Sequence, residues 1–268
     1  MQENRVISLD GVWDFQLGSH DLEQDPDEQK WRSITVPMPW QAQFDDLRHA
    51  NGVAWYRRLF SVDLDTLENI ADRSAVLHFG AVDYQAKVWL NDQDLGEHEG
   101  GYLPFEFDIA DTLHEGENQL LVRVVDASDD RSAYPEIPFS EVPHGKQSWY
   151  GPIGGIWQSV WLEIRPRYHI AQILLDPSPA EATLGIEVAL NKEPDDSNQI
   201  GCSVIDPDGH VVGTADFEEA LTGKIQLKSS PKLWSPETPH LYTVEATLQS
   251  DDHPPHTVTR KCGFRTVE

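Results

Sequence analysis

Residues 145–163 read GKQSWYGPIGGIWQSVWLE, a glycine-rich loop that runs directly into a strand. Gly-Pro at 151–152 and Gly-Gly at 154–155 interrupt any regular backbone in the first half. In the second half, apolar residues recur on one side between Ile156 and Ile164, which is typical of a strand with one buried face. The stretch therefore predicts a loop whose base is fixed by a buried β-strand.

Two aromatic residues of this loop, Trp149 and Tyr150, suggest a binding role. Aromatic side chains on a loop with a rigid base suit a polyhydroxylated ligand such as a sugar. The apolar face of the sugar ring stacks on them, and nearby polar groups bind its hydroxyls. The alternative is that both side chains cap the end of a β-sandwich core, and the stretch by itself does not distinguish the two.

The charge of the chain limits its partners. The chain has 268 residues and a net charge of −26, from 46 acidic and 20 basic residues. A field of this sign repels phosphate backbones and anionic lipids, so neither a nucleic acid nor a membrane surface is expected as a partner. The acidic residues are spread along the chain, which favours a solvated surface, with adaptation to high salt as the alternative.

Neither the hydropathy nor the cysteines indicate export. No stretch approaches the roughly 18 apolar residues of a membrane span, and the N-terminus MQENRVISLDGVW lacks a signal-peptide pattern. A cytoplasmic location is therefore expected. Cys202 and Cys262 are too few for a disulfide framework, and free thiols in a reducing compartment are the simpler interpretation.

Short alternating strands separated by turns recur along the whole chain. Their spacing of roughly ten residues, without a long helical pattern, indicates an antiparallel β-sandwich. After Pro166, about seven further strands in about 100 residues fit an immunoglobulin-like sandwich, and Asp206–Gly209 has the composition of a hairpin turn. Residues 126–146 form the longest stretch without periodicity, and long loops of this kind are usually functional or disordered.

Several short motifs are informative together. They are LDGVWDF at 9–15, VPMPW at 36–40, WYRRLF at 55–60, VWLND at 88–92, GEHEGGYLPF at 96–105, GEN at 116–118, GGIWQSVWLE at 154–163, LWSPETPHLY at 233–242 and GFR at 263–265. In this order they resemble glycoside hydrolase family 2, the β-galactosidase, β-glucuronidase and β-mannosidase group. The resemblance implies an all-β fold of two domains: a sugar-binding jelly-roll (galactose-binding-like) β-sandwich at 1–166 and an immunoglobulin-like β-sandwich at 167–268.

The resemblance also bears on catalysis. In this family the chemistry sits in a following (β/α)₈ barrel, where two glutamates act across the scissile bond and the acid/base is preceded by asparagine. The present chain ends at Glu268, where such a barrel would begin, and it contains no Asn-Glu dipeptide. We therefore expect no catalytic residue in this chain, no activity of the chain alone, and a C-terminal catalytic barrel as its partner in a parent protein.

The resemblance further implies that the loops at 41–54 and 126–155 help to shape the sugar site. Our candidates for carbohydrate contact are His49, Asn51, Gln147, Trp149 and Tyr150. Tryptophan and tyrosine offer a stacking face, and the other three offer hydrogen-bond donors and acceptors for hydroxyls. Five other tryptophans in strand or boundary patterns are interpreted as packing residues: Trp13, Trp89, Trp157, Trp161 and Trp234.

No cofactor and no metal site is expected. Calcium is an alternative at Asp126, Asp129 and Asp130, because calcium prefers oxygen ligands. The spacing of these three residues matches no calcium-loop signature, so a solvated loop is favoured. His253 and His256 supply only two ligands, which falls short of a zinc site.

The leading hypothesis is the non-catalytic front part of a family-2-like glycoside hydrolase, which binds carbohydrate and supports the catalytic barrel. One alternative is a stand-alone carbohydrate-binding module. Another is a structural or dimerising unit, which would make the protein a homo-oligomer.

Overall fold

The computed structural model describes residues 5–18, 25–63, 73–128, 153–193, 198–217, 221–251 and 255–266. The chain divides into two compact units, Arg5–Ile164 and a second that contains Arg165–Glu268. Strands dominate both units and the described residues contain no α-helix, so the predicted all-β fold is confirmed. In the described part of the chain, no helix is long and apolar enough to cross a lipid bilayer.

The first unit is built from a sheet of six strands, a sheet of four and a short two-stranded pair. The described strands are β1 (Arg5–Ser8), β2 (Gly11–Leu17), β3 (Arg32–Val36), β4 (Gly52–Val62), β5 (Arg73–Phe79), β6 (Val82–Asp83), β7 (Gln85–Leu90), β8 (Gln93–Glu99), β9 (Phe105–Asp108), β10 (Gly116–Asp126), β11 (Gly155–Ile156) and β12 (Val160–Pro166). The larger sheet has the order β3-β2-β4-β10-β7-β8, the smaller has the order β1-β12-β5-β9, and β6 pairs with β11. Two single-turn 3-10 helices, Trp40–Ala42 and Asp45–Leu47, follow β3.

Alternating side chains of the two larger sheets form a common core. Every second residue of β7 and of β12 is buried, as expected for strands with one covered face. The core includes Trp13, Phe15 and Tyr56, and Trp13 Nε1 donates a hydrogen bond to the carbonyl oxygen of Leu9 at 2.8 Å. Burying each large side chain contributes about 1.5–3 kcal/mol, so this core holds the two sheets together.

Two tryptophans that we interpreted as packing residues pack outside this core. Trp89 stacks on Trp55 across the larger sheet, with ring centroids 5.5 Å apart. Trp161 stacks on His78 at 4.8 Å, and His78 Nε2 lies 2.9 Å from a carboxylate oxygen of Glu163. Because the neighbours of Trp89 and Trp161 along each strand point into the core, strand alternation places both indoles on the outer faces.

The second unit is a sandwich of two sheets. Its strands are β13 (Ile170–Ser178), β14 (Thr183–Leu190), β15 (Gln199–Ile205), β16 (Val211–Phe217), β17 (Thr222–Gln226), β18 (Tyr242–Gln249) and β19 (His256–Cys262). The sheets have the orders β13-β14-β17 and β16-β15-β18-β19, and buried residues of both share one core. The seven strands form an immunoglobulin-like sandwich with sheets of three and four strands, in which β16 pairs with β15 and so belongs to the four-stranded sheet.

The predicted hairpin turn at Asp206–Gly209 joins β15 to β16. One carboxylate oxygen of Asp206 accepts hydrogen bonds from the backbone N–H groups of Asp208 and His210, each at 2.9 Å. Gly209 has a φ of 87°, a conformation that glycine reaches without steric cost. The turn prediction is therefore confirmed.

Both cysteines are free thiols. Cys202 is buried in β15, and Cys262 is half-buried at the end of β19. Burial raises the pKa of both thiols to about 11. Little thiolate is therefore present at neutral pH, and both thiols are weak nucleophiles.

Candidate functional site

One end of the first unit gathers several segments around a buried polar network. The segment after β3 supplies Trp40 and Gln41, β6 supplies Asp83, and β10 ends at Asp126. Residues 153–156 complete the network. Because these segments are far apart in sequence, the fold of the whole unit is required to assemble them.

Gln41 connects three of these segments. Its side-chain Nε2 donates hydrogen bonds to the Ala50 carbonyl oxygen and to Asp126 Oδ2, both at 3.1 Å. Its Oε1 accepts the backbone N–H of Gly154 at 2.9 Å. Trp40 Nε1 donates to the same Ala50 carbonyl at 3.2 Å. Both amide hydrogens and the amide oxygen of Gln41 are thus used, which fixes the 40–51 segment to the sheet.

The Gly154-Gly155 pair lets the backbone pack directly on this network. A Cβ on Gly154 would lie 2.3 Å from Asp126 Oδ2, and one on Gly155 would lie 2.1 Å from the Tyr56 hydroxyl. The ring of Trp40 is also within 3.0 Å of both positions. The two glycines therefore do more than interrupt the backbone, because no side chain would fit at either position.

The network contains two buried acids. Asp126 is 8% exposed and Asp83 is 3% exposed. Burial first, and then the negative charge of Asp83, raise the pKa of Asp126 to about 8, although the hydrogen bond from Gln41 acts in the opposite direction. Asp126 is therefore mostly protonated at neutral pH, which reduces the repulsion between the two carboxyl groups.

The structure places two of the five predicted carbohydrate-contact residues beside this network. His49 is exposed and Asn51 is half-buried. They flank Ala50, whose carbonyl oxygen is held by Trp40 and Gln41. The other three predicted contacts lie outside the described residues: Gln147, Trp149 and Tyr150.

Exposed aromatic and apolar side chains at the same end were missed by the sequence analysis. Tyr102 and Leu103 are 45% and 69% exposed. Trp157 Nε1 donates to the Gly101 carbonyl at 2.8 Å, and its ring meets Tyr102 edge-on with centroids 5.9 Å apart. Such rings can stack on a sugar. The glycine pair at 100–101, which indicates a turn just before Tyr102, was the available sequence signal.

The calcium alternative gains no support from the described residues. Asp129 and Asp130 lie outside them, and the Asp126 carboxyl accepts a hydrogen bond from Gln41. Three clustered side chains, Asp206, Asp208 and His210, lie in the hairpin turn of the second unit. There Asp206 already caps two backbone N–H groups.

Replacing Gln41 with leucine is expected to destabilise the first unit by about 1–3 kcal/mol, the usual cost of leaving buried polar groups unsatisfied. The buried Asp126 carboxyl and the Gly154 N–H would both lose their partner. Urea unfolding of the whole chain measures the change. Gln93→Leu, at an exposed position of β8, is the control and should change stability by less than about 0.5 kcal/mol. Equal effects of the two substitutions would contradict the role of Gln41.

Two family models match the chain one after the other. Residues 2–166 match the model described as "Glycosyl hydrolases family 2, sugar binding domain". Residues 167–265 match the model described as "Glycosyl hydrolases family 2". Together they cover nearly the whole chain without a gap between them.

The chain is similar to parts of longer proteins. A putative β-glucuronidase from Formosa agariphila is 30% identical over 247 residues, which cover 89% of this chain and 28% of the relative. A β-galactosidase from Thermoanaerobacter pseudethanolicus is 33% identical over 228 residues, which cover 81% of this chain and 28% of the relative. The chain thus spans about 28% of the length of these curated relatives.

A solved structure of similar fold is the Bifidobacterium dentium β-glucuronidase complexed with coumarin-3-O-glucuronide. It is 26% identical, with a TM-score of 0.79, and the match covers 100% of this chain and 49% of that chain. The similarity therefore extends over both units of the present chain.

Proposed function

This chain belongs to glycosyl hydrolases family 2, and from that membership we propose that it is the non-catalytic front part of a carbohydrate-processing enzyme. In this proposal, residues 1–166 bind carbohydrate and residues 167–268 support a catalytic barrel that follows in the parent protein. Both acids of the hydrolytic reaction belong to that barrel. The present chain shapes the sugar site and does not itself cleave a glycosidic bond.

The observation that carries the proposal is the uninterrupted order of the two family matches. Two curated relatives, named as a putative β-glucuronidase and a β-galactosidase, have most of their length outside the match. A barrel of typically about 250 residues would fit in that remaining length.

The end of the first unit that contains the Gln41 network, the 40–51 segment and residues 153–156 is called the loop end, and its geometry supports a sugar-binding role. Gln41 anchors the segment that contains His49 and Asn51 through three hydrogen bonds, so the backbone that positions these polar side chains is well ordered. Tyr102 and Trp157 add aromatic surface at the same end. Polar groups with defined positions and a nearby aromatic face are what recognition of a sugar requires.

Titration of the 268-residue chain with methyl β-D-galactoside and methyl β-D-glucuronide tests this role through tryptophan fluorescence. We expect a saturable change with at least one of the two sugars. Asn51→Ala should weaken binding about three- to tenfold, since one hydrogen bond contributes about 0.5–1.5 kcal/mol. Gln172→Ala, at an exposed position of the second unit, is the control. Absence of any response, or a response that is unchanged in both Asn51→Ala and Trp149→Ala, would contradict the proposed site.

Hydrolysis assays test the second part of the proposal. The chain alone should not release chromophore from aryl β-galactosides or β-glucuronides. Retaining hydrolysis needs two carboxyl groups about 5 Å apart across the scissile bond, and the proposal assigns both to the barrel. Hydrolytic activity that copurifies with the chain over successive chromatography steps would contradict this assignment.

A further inference from the structure

The outer face of the larger sheet contains a cavity of about 180 Å³. Strands β7, β8 and β10 contribute its walls. Its polar lining comprises Gln85, Lys87, Glu97, His98, Glu99 and Arg123, and Ala86 and Val125 add apolar surface. At about 30 Å³ for each water, the cavity has the volume of roughly six waters, which suits one sugar ring.

Strand register sets the positions of the polar groups. Arg123 of β10 lies opposite Lys87 of β7, which in turn lies opposite Glu97 of β8. Gln85 lies opposite Glu99 in the next row on the same face. Because strands lie about 4.7–4.9 Å apart, donors and acceptors form a regular array on a rigid sheet.

Internal hydrogen bonds orient this array before any ligand arrives. Lys87 Nζ lies 3.0 Å from Glu97 Oε1. Glu99 accepts hydrogen bonds from the Tyr84 hydroxyl at 2.9 Å and from Gln85 Nε2 at 3.1 Å. Side chains that are already ordered lose less conformational entropy when a ligand binds, so the array is preorganised.

The charges of the lining select the class of ligand. In the lining, the cations Lys87 and Arg123 balance the carboxylates Glu97 and Glu99. Asp94 lies 3.2 Å from Lys87 Nζ and adds a negative charge beside the cavity, in a chain of net charge −26. The surrounding negative field disfavours an anion. Carboxylates accept, and charged N–H groups donate, strong hydrogen bonds to hydroxyls, so a neutral polyol fits best.

An aromatic surface lies beside the cavity. Trp89 is two residues along β7 from Lys87 and therefore on the same face, and Lys87 Nζ lies 5.5 Å from the Trp89 ring centroid. Trp89 is itself supported by stacking on Trp55. It can take the apolar face of a neighbouring sugar ring.

We propose that this cavity is a second saccharide-binding site, which takes one neutral sugar ring among Gln85, Lys87, Glu99 and Arg123 and the adjoining ring on Trp89. The site lies on the outer face of the sheet, whereas the network around Asp126 lies on its inner face. Its occupation does not depend on the loop site of the proposed function. In a parent enzyme, such a site would hold an oligosaccharide chain away from the loop end.

NMR titration of the full chain with lactose, a neutral disaccharide, tests the site. Backbone amides of β7, β8 and β10 should shift as lactose is added. Glu99→Gln preserves shape but removes a charge-assisted acceptor, and it should weaken the effect on these amides at least about fivefold. Trp89→Leu should weaken it by a similar factor. Glu245→Gln, exposed on β18, is the matched control and should change nothing.

The two sites give separable outcomes. Asn51→Ala should leave the lactose-induced shifts of the β7, β8 and β10 amides unchanged, although it weakens the fluorescence response assigned to the loop end. The proposal is overturned when lactose shifts none of these amides, or when it shifts them in Glu99→Gln and in Trp89→Leu as strongly as in the parent chain. Tighter binding of the anionic methyl β-D-glucuronide than of lactose at this cavity would overturn the neutral-ligand assignment.

Discussion

Replacing Gly155 with alanine is expected to destabilise the first unit by about 2–6 kcal/mol, through backbone strain and overpacking together. Gly155 has a φ of 99°, which is strained for any residue with a Cβ. The added Cβ would lie 2.1 Å from the Tyr56 hydroxyl and 3.0 Å from the Trp40 ring. Both side chains are completely buried and cannot move aside without disturbing the core. Urea unfolding of the whole chain, followed by tryptophan fluorescence, measures the loss.

Two further variants separate the strain from the clash. Gly116 has a φ of 86°, but a Cβ there would meet nothing within 4 Å, so Gly116→Ala carries only the strain, about 1–3 kcal/mol. Tyr56→Phe removes the hydroxyl, and it should recover part of the stability lost by Gly155→Ala. The close packing described for Gly155 would be refuted by equal losses at Gly155 and Gly116, or by the absence of any recovery.

The strands of this protein are visible in the sequence because their signals are local. Alternation of apolar residues places β7 and β12, and Asp206 and Gly209 define a hairpin turn by their own chemistry. Each of these features depends on neighbours within a few residues. Periodicity indicates β-sandwiches but does not say which kind. The order of the motifs, which resembles that of a known family, indicated the two-domain all-β architecture.

The polar network at the loop end escaped prediction because its contacts are long-range. Gln41 and Gly154 are 113 residues apart, and no periodicity links them. The glycine pair at 154–155 was recognised as a break in regular structure, but the reason for it is the close approach of Tyr56 and Asp126. Asp126 was interpreted as part of a solvated acidic loop, whereas the fold buries it at the end of β10.

This network links stability to the proposed sugar site. The 40–51 segment is held by Gln41, which bonds to the Asp126 carboxyl and to the backbone of residue 154. Any change that weakens the hydrogen bond between Asp126 and Gln41 should therefore also reduce the order of the segment that contains His49 and Asn51. The protonation state of one buried carboxyl should thus affect the order of a segment that contacts solvent.

Replacing Asp126 with asparagine is expected to remove a pH-dependent loss of stability. The pKa of Asp126 is raised from 3.8 to about 8 in the folded protein, by burial first and by the charge of Asp83 second. Folded Asp126 thus keeps a proton that the unfolded chain releases. Its contribution to stability is complete below about pH 4 and is lost as the pH rises towards 8, by at most about 1.4 kcal/mol for each pH unit. Asparagine has the same shape, still accepts the hydrogen bond from Gln41, and does not titrate.

The free energy of unfolding, measured in urea at intervals between about pH 5 and 8, checks this expectation. The free energy of unfolding of Asp126→Asn, relative to that of the parent chain, should increase steadily as the pH rises. Only in the parent does folding require a proton to be kept on residue 126, and this becomes less favourable at higher pH. Asp111→Asn, which removes an exposed carboxylate, should keep a constant difference from the parent. Curves for Asp126→Asn and the parent that stay parallel across this range would mean that Asp126 is already ionised in the folded protein, and that the network tolerates two buried charges.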